Sequence, residues 1–182
     1  GKEGKKAEKQ HKAKALGKGY PAMAAGELLG TYPGLDLKVY NRGISGNKVP
    51  DLAKRWQRDT IDLKPDILSI LVGVNDLWHT FAFGSKYKGT IKDYKTGYRD
   101  LIERSREQIP GVQIVICEPF TLRDSDHFKP LADYRAVAKQ LAQENNLPFV
   151  PFQSMFDEAT QAAPANFWLW DGVHPTTPGN AL

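Results

Sequence analysis

Three short segments of this 182-residue chain concentrate the residue types that catalysis uses. Asp171-Gly172-Val173-His174-Pro175 sets a carboxylate and an imidazole three residues apart in a loop bounded by Gly and Pro. Such a loop can seat the carboxylate against one ring nitrogen, fixing the tautomer and leaving the other nitrogen free as a base. The same residues also fit an Asx turn beside a surface histidine. Gly73-Val74-Asn75-Asp76 follows an apolar run. There the Asn75 amide can donate to a developing oxyanion, or the pair can cap a strand-to-loop turn. Gly43-Ile44-Ser45-Gly46-Asn47 carries two glycines, which let backbone N–H groups approach a substrate oxygen or else make a flexible turn. Ser45 does not satisfy the nucleophile elbow Gly-x-Ser-x-Gly, because position 47 is Asn.

The elements that must position these segments alternate. Pro21 opens an Ala/Leu-rich helix, Ala22 to Leu29, that closes near Gly30. Leu35 to Tyr40 alternates polar and apolar residues, the pattern of a strand. Pro50 to Ile61 is a helix with Leu52, Trp56 and Ile61 on one side. Asp66 to Val72 is a nearly continuous apolar run, the pattern of a parallel strand buried on both faces. Trp78 to Thr90 is expected to be a long loop and Ile91 to Ile109 a helix stopped by Pro110-Gly111. Val112 to Cys117 is a strand, Pro130 to Asn145 an amphipathic helix, Leu147 to Val150 a short fourth strand, and Met155 to Gln161 a helix. Trp168 to Leu182 is expected to be a loop. This order predicts a single α/β domain over residues 1–182 with a mostly parallel sheet. The three chemical segments then fall at the carboxyl ends of strands or in the last loop, where such sheets bind ligands.

Composition excludes several classes. With 41% apolar and 25% charged residues the chain is neither a fibre nor globally disordered. No apolar run approaches the roughly 18 residues of a membrane span. One cysteine, Cys117, forbids an intrachain disulfide, and the four histidines (His11, His79, His127, His174) lack metal-ligand spacing. No metal or cofactor is implied. Seven lysines and two glutamates in residues 1–20 account for more than the whole net charge of +4. Residues 1–19 therefore read as a polar, basic leader and not as a nucleic-acid-binding face, which needs charge and aromatics spread over a surface. The absence of an apolar segment behind the first residues, with the lone cysteine, leans toward the cytoplasm.

Taken together, Asn-Arg-Gly-Ile-Ser-Gly-Asn (41–47), Gly-Val-Asn-Asp (73–76) and Asp-Gly-Val-His-Pro (171–175) resemble the SGNH/GDSL hydrolase family in order and spacing. The resemblance covers nearly the whole chain and implies a three-layered α/β/α fold around a mostly parallel, flavodoxin-like sheet. It implies an esterase or acylhydrolase whose oxyanion donors fall on Gly46 and Asn75 and whose Asp–His pair falls on Asp171 and His174. The family's opening Gly-Asp-Ser, which supplies the nucleophile, does not occur near the start of these residues. The resemblance therefore implies a strand and the nucleophilic serine upstream of Gly1, and a last helix beyond Leu182. The 182 residues by themselves are then expected not to hydrolyse esters. A small ester or an acetylated carbohydrate is the expected substrate. Trp78 and Trp170 are the candidates to wall its pocket, unless they pack in the core. A non-catalytic ligand-binding protein on the same scaffold is the alternative, and His79 is the rival base.

Overall fold

The computed structural model describes residues 16–84 and 86–182. Most of the basic leader, with His11, lies outside the described residues. In chain order the elements are α1 (Tyr20–Thr31), α2 (Val49–Asp59), β1 (Ile67–Leu71), α3 (Val74–Phe81), α4 (Ile91–Gln108), β2 (Gln113–Cys117), α5 (Leu131–Glu144), β3 (Phe149–Val150), α6 (Phe152–Ala159), α7 (Ala165–Trp168) and α8 (Thr177–Ala181). They divide into two compact units: Ile44–Glu158, and the residues up to Gly43 together with Ala159–Leu182. Among the described residues no helix is long and apolar enough to cross a membrane.

Ile44–Glu158 is an α/β unit. Its sheet is parallel in the order β1-β2-β3, with Ile67 opposite Gln113, Leu71 opposite Cys117 and Ile116 opposite Phe149. Parallel neighbours require crossovers, and here α3 and α4 join β1 to β2 while α5 joins β2 to β3. Helix α4 shows why these residues form these elements. Thr90 accepts the Asp93 amide and Asp93 reaches back to the Thr90 amide, a reciprocal cap that starts the helix. Tyr94, Tyr98, Leu101, Ile102 and Ser105 then recur at helical spacing and are buried. The two tyrosines donate their hydroxyls to backbone oxygens of Val72 and Ile70, each at 3.1 Å, so the phenols enter the core with their polar ends satisfied. Trp56 of α2 donates to Ser105 at 3.0 Å, and Ser105 in turn donates to the Leu101 carbonyl. Ile114, Ile116, Leu131 and Leu141 complete the core.

In the second unit, α1 begins with Pro in its first turn, and the Tyr20 amide donates to the Asn180 side chain of α8 at 2.8 Å. Leu169 and Pro175 form an isolated antiparallel bridge that closes the loop between them.

Four expectations change. The described sheet has three strands, since Leu35–Tyr40 has no strand partner among the described residues although Leu37 and Val39 are less exposed than their neighbours. Alternation makes a segment fit for a sheet, and only a ladder makes it a strand. Strand β1 is not buried throughout: it pairs only with β2 here, and Ile67 is 70% exposed. Residues 74–81, expected as a turn running into a loop, are helix α3. The last segment, expected as loop, contains α8, which Thr176 caps by accepting the Gly179 amide.

Candidate active site

Within Ile44–Glu158, Gly46 and Asn75 are brought together. Gly46 occupies the left-handed region, φ +79°, which a side chain would strain. The turn continues into Asn47, whose amide donates to the Ile44 carbonyl and whose side chain accepts from Arg55 at 2.9 Å. Asn75, in the first turn of α3, donates its side-chain amide to the Asn47 carbonyl at 3.3 Å. One residue further, Asp76 is 1% exposed and accepts the Val49 amide at 3.0 Å. Gly73 makes the junction of β1 and α3 possible. Its φ is +137°, and a Cβ there would lie 3.0 Å from Pro119 and from the Tyr94 hydroxyl. The sequence marked the Asn75 segment by its Gly-Val-Asn-Asp composition but not the helix, because α3 is only eight residues long.

Aromatic rings continue from this turn. His79 lies with its Cε1 3.9 Å from where a Gly46 Cβ would stand, and its ring meets Phe83 at 4.8 Å. Burial and the nearby Lys48 charge hold its pKa below the ordinary histidine value, against an opposing contribution from Asp51. Trp78 touches Phe83 and Phe128, each at 5.5 Å, and carries the Arg123 guanidinium over its ring at 4.6 Å. Burial pushes the Cys117 thiol up to about 11, so it is no thiolate at neutral pH.

In the other unit, Asp171 and His174 meet, as their spacing allows. His174 Nδ1 stands 3.0 Å from Asp171 Oδ2. Asp171 Oδ1 accepts two backbone amides, Val173 at 3.0 Å and His174 at 2.8 Å. Burial opposes the charge on Asp171, but the hydrogen bonds from His174 and Val173 outweigh it and hold the carboxyl below its ordinary range. An ionised partner at Nδ1 makes that nitrogen the donor and leaves Nε2 with its lone pair. The loop is closed by the Trp170 amide donating to the His174 carbonyl at 3.1 Å and the Thr176 amide donating to Trp168 at 2.9 Å. Trp170 is 63% exposed and lies nearly parallel to the His174 ring, 20° between planes and 5.6 Å between centroids. Among the described residues no group of three or more His, Cys, Asp or Glu is placed to hold a metal ion.

Residues 7–182 match the GDSL-like lipase/acylhydrolase family. The chain belongs to that family. An acetylxylan esterase of Geobacillus stearothermophilus is 35% identical over 173 residues, which are 92% of this chain and 78% of that protein. Its crystal structure superposes with a TM-score of 0.84 at 34% identity, covering 91% of this chain and 77% of that one. A Parabacteroides merdae structure described as a GDSL-like lipase gives a TM-score of 0.89 at 47% identity, covering 93% of this chain and 79% of that one. The Geobacillus esterase has also been solved as catalytic mutants in which a serine, an aspartate or a histidine is replaced by alanine, the aspartate three positions before the histidine.

Proposed function

We propose that this family member is a serine esterase that removes acetyl or other small acyl groups from carbohydrate, with a Ser-His-Asp triad and a Gly/Asn oxyanion hole. The Asp171–His174 pair carries the reading: one carboxylate oxygen faces Nδ1 at 3.0 Å while the other is pinned by two backbone amides. His174 is thereby presented with Nε2 as base. The nucleophile in this proposal is a serine upstream of Gly1. His174 takes its proton as the serine oxygen attacks the ester carbonyl, and gives it to the sugar oxygen as the carbon–oxygen bond breaks, so that the sugar leaves as its free hydroxyl. Water, deprotonated by the same nitrogen, then releases the acid. The Gly46 amide and the Asn75 side chain are assigned to the oxyanion, which forms only on attack. Trp170, exposed and flat beside His174, is assigned to the face of a sugar ring, and Trp78 to the wall of the acyl pocket.

The Geobacillus acetylxylan esterase supports both halves of this reading, through its name and through the aspartate-to-histidine spacing of its catalytic mutants. The test is acetate release from acetylated xylo-oligosaccharides by the full-length natural chain. His174→Ala is expected to reduce turnover to background, while His79→Ala keeps the larger part of it. The reverse result transfers the base to His79 and leaves Asp171–His174 as a structural turn. Release of acetate by neither the parent enzyme nor any variant, with tight binding of the acetylated sugar, would instead favour a non-catalytic binding protein.

A further inference from the structure

Asp76 is a buried acid that the proposed chemistry does not use. Its side chain is 1% exposed, Oδ1 accepts the Val49 amide, and Oδ2 has no hydrogen-bond partner among the described residues. A carboxylate is costly to keep in such a place, so its retention calls for a reason. Its neighbours offer one. Val49 opens α2, and the Gly46 turn runs directly into that helix end. Asn75 holds the Asn47 carbonyl and Asp76 holds the Val49 amide. Two consecutive residues of α3 thus grip two positions flanking Lys48, and the nearer grip is one residue from Gly46.

We propose that Asp76 is a positioning residue for the Gly46 amide: by accepting the Val49 N–H it locks the start of α2 to α3 and so sets the direction of that donor. The proposal rests on the reading of Gly46 as an oxyanion donor. Val49 is the first residue of α2, so its amide has no partner inside the helix, and Asp76 of α3 supplies the acceptor. Only the acceptor oxygen matters for this role, not the negative charge. The titratable groups that interact electrostatically with the carboxyl are Lys48 and Asp51 at the start of α2, Tyr87 before α4, Tyr94 in α4 and Tyr134 in α5. Burial drives the acid up to about 7, against the Val49 hydrogen bond and the Lys48 charge, and Oδ1 can accept in either protonation state.

The experiment uses the full-length enzyme and p-nitrophenyl acetate. Asp76→Ala is expected to lower kcat roughly 10- to 100-fold with KM within about threefold, since a misdirected donor fails only in the transition state. Asp76→Asn, whose amide oxygen still accepts, is expected to restore kcat to within about threefold of the parent. A folded Asp76→Ala enzyme with parental kcat overturns the proposal, and so does an Asp76→Asn enzyme as slow as Asp76→Ala. Should the alanine variant not fold, Val49→Pro removes the donor at a helix position that accepts proline, and the same loss in kcat is expected. Parental kcat in Val49→Pro overturns the proposal equally. Asn75→Ala is the separate control: if it leaves kcat unchanged, the oxyanion assignment itself has failed, whatever Asp76 does.

Discussion

The turn around Gly46 and the loop around His174 are held by opposite means. In the first, the tying hydrogen bonds come from far along the chain, Val49 and Asp76 being 27 positions apart and Asn47 and Asn75 28. In the second, Asp171 finds its partners two and three residues away. The first depends on a packed α/β core to exist at all, whereas the second is written into five consecutive residues. Their carboxylates differ accordingly. Asp76 is raised by burial, while Asp171 is lowered by its hydrogen bonds against the pull of burial.

The largest effect expected from breaking this contrast lies in the local loop. Asp171→Asn keeps an oxygen for the two amides, so the fold should survive. It mis-sets the imidazole, and kcat should fall on the order of 10⁴-fold, the size seen when a triad aspartate is so changed. A loss smaller than tenfold in steady-state assays would reduce the pair to a turn. Next in size is Asn75→Ala, for which kcat should drop roughly 10²–10³-fold with KM little changed. A loss confined to KM would assign Asn75 to ground-state binding. The smallest effect separates the two acids by pH. Asp76, raised to about 7, binds its proton in the fold at pH values where the unfolded chain has released it. Its contribution to stability is complete below pH 4 and is lost as pH rises toward 7, by at most roughly 1.4 kcal/mol per pH unit. Asp171, lowered in the fold, contributes above its unfolded pKa and loses that contribution as the solution becomes more acidic than pH 4. Denaturant titrations across pH should show Asp76→Asn flattening the first slope and Asp171→Asn the second. Identical profiles for the two variants would erase the contrast.

The same contrast explains what could be read without coordinates. The Asp171–His174 contact was legible as one of two readings of a local spacing, the other being an Asx turn, and the family resemblance chose between them. The parallel strands at 67–71 and 113–117 were legible from apolar runs, and α4 from its 3.6-residue period. The helix at 74–81 was not. Eight residues give little more than two turns of pattern, and its aromatics pack against Phe128, far along the chain. Nor was the role of Asp76 legible, since no local signal links it to the amide of Val49. Leu35–Tyr40 taught the converse, having the alternation of a strand without a neighbouring strand among the described residues.

The flat contact between Trp170 and His174 also has an optical consequence. Trp170 is one of four tryptophans and lies 63% exposed on the ring of the proposed base. A sugar laid on that face would take the indole out of water and move its emission to shorter wavelength in the unlabelled protein, with Trp170→Phe as the blank.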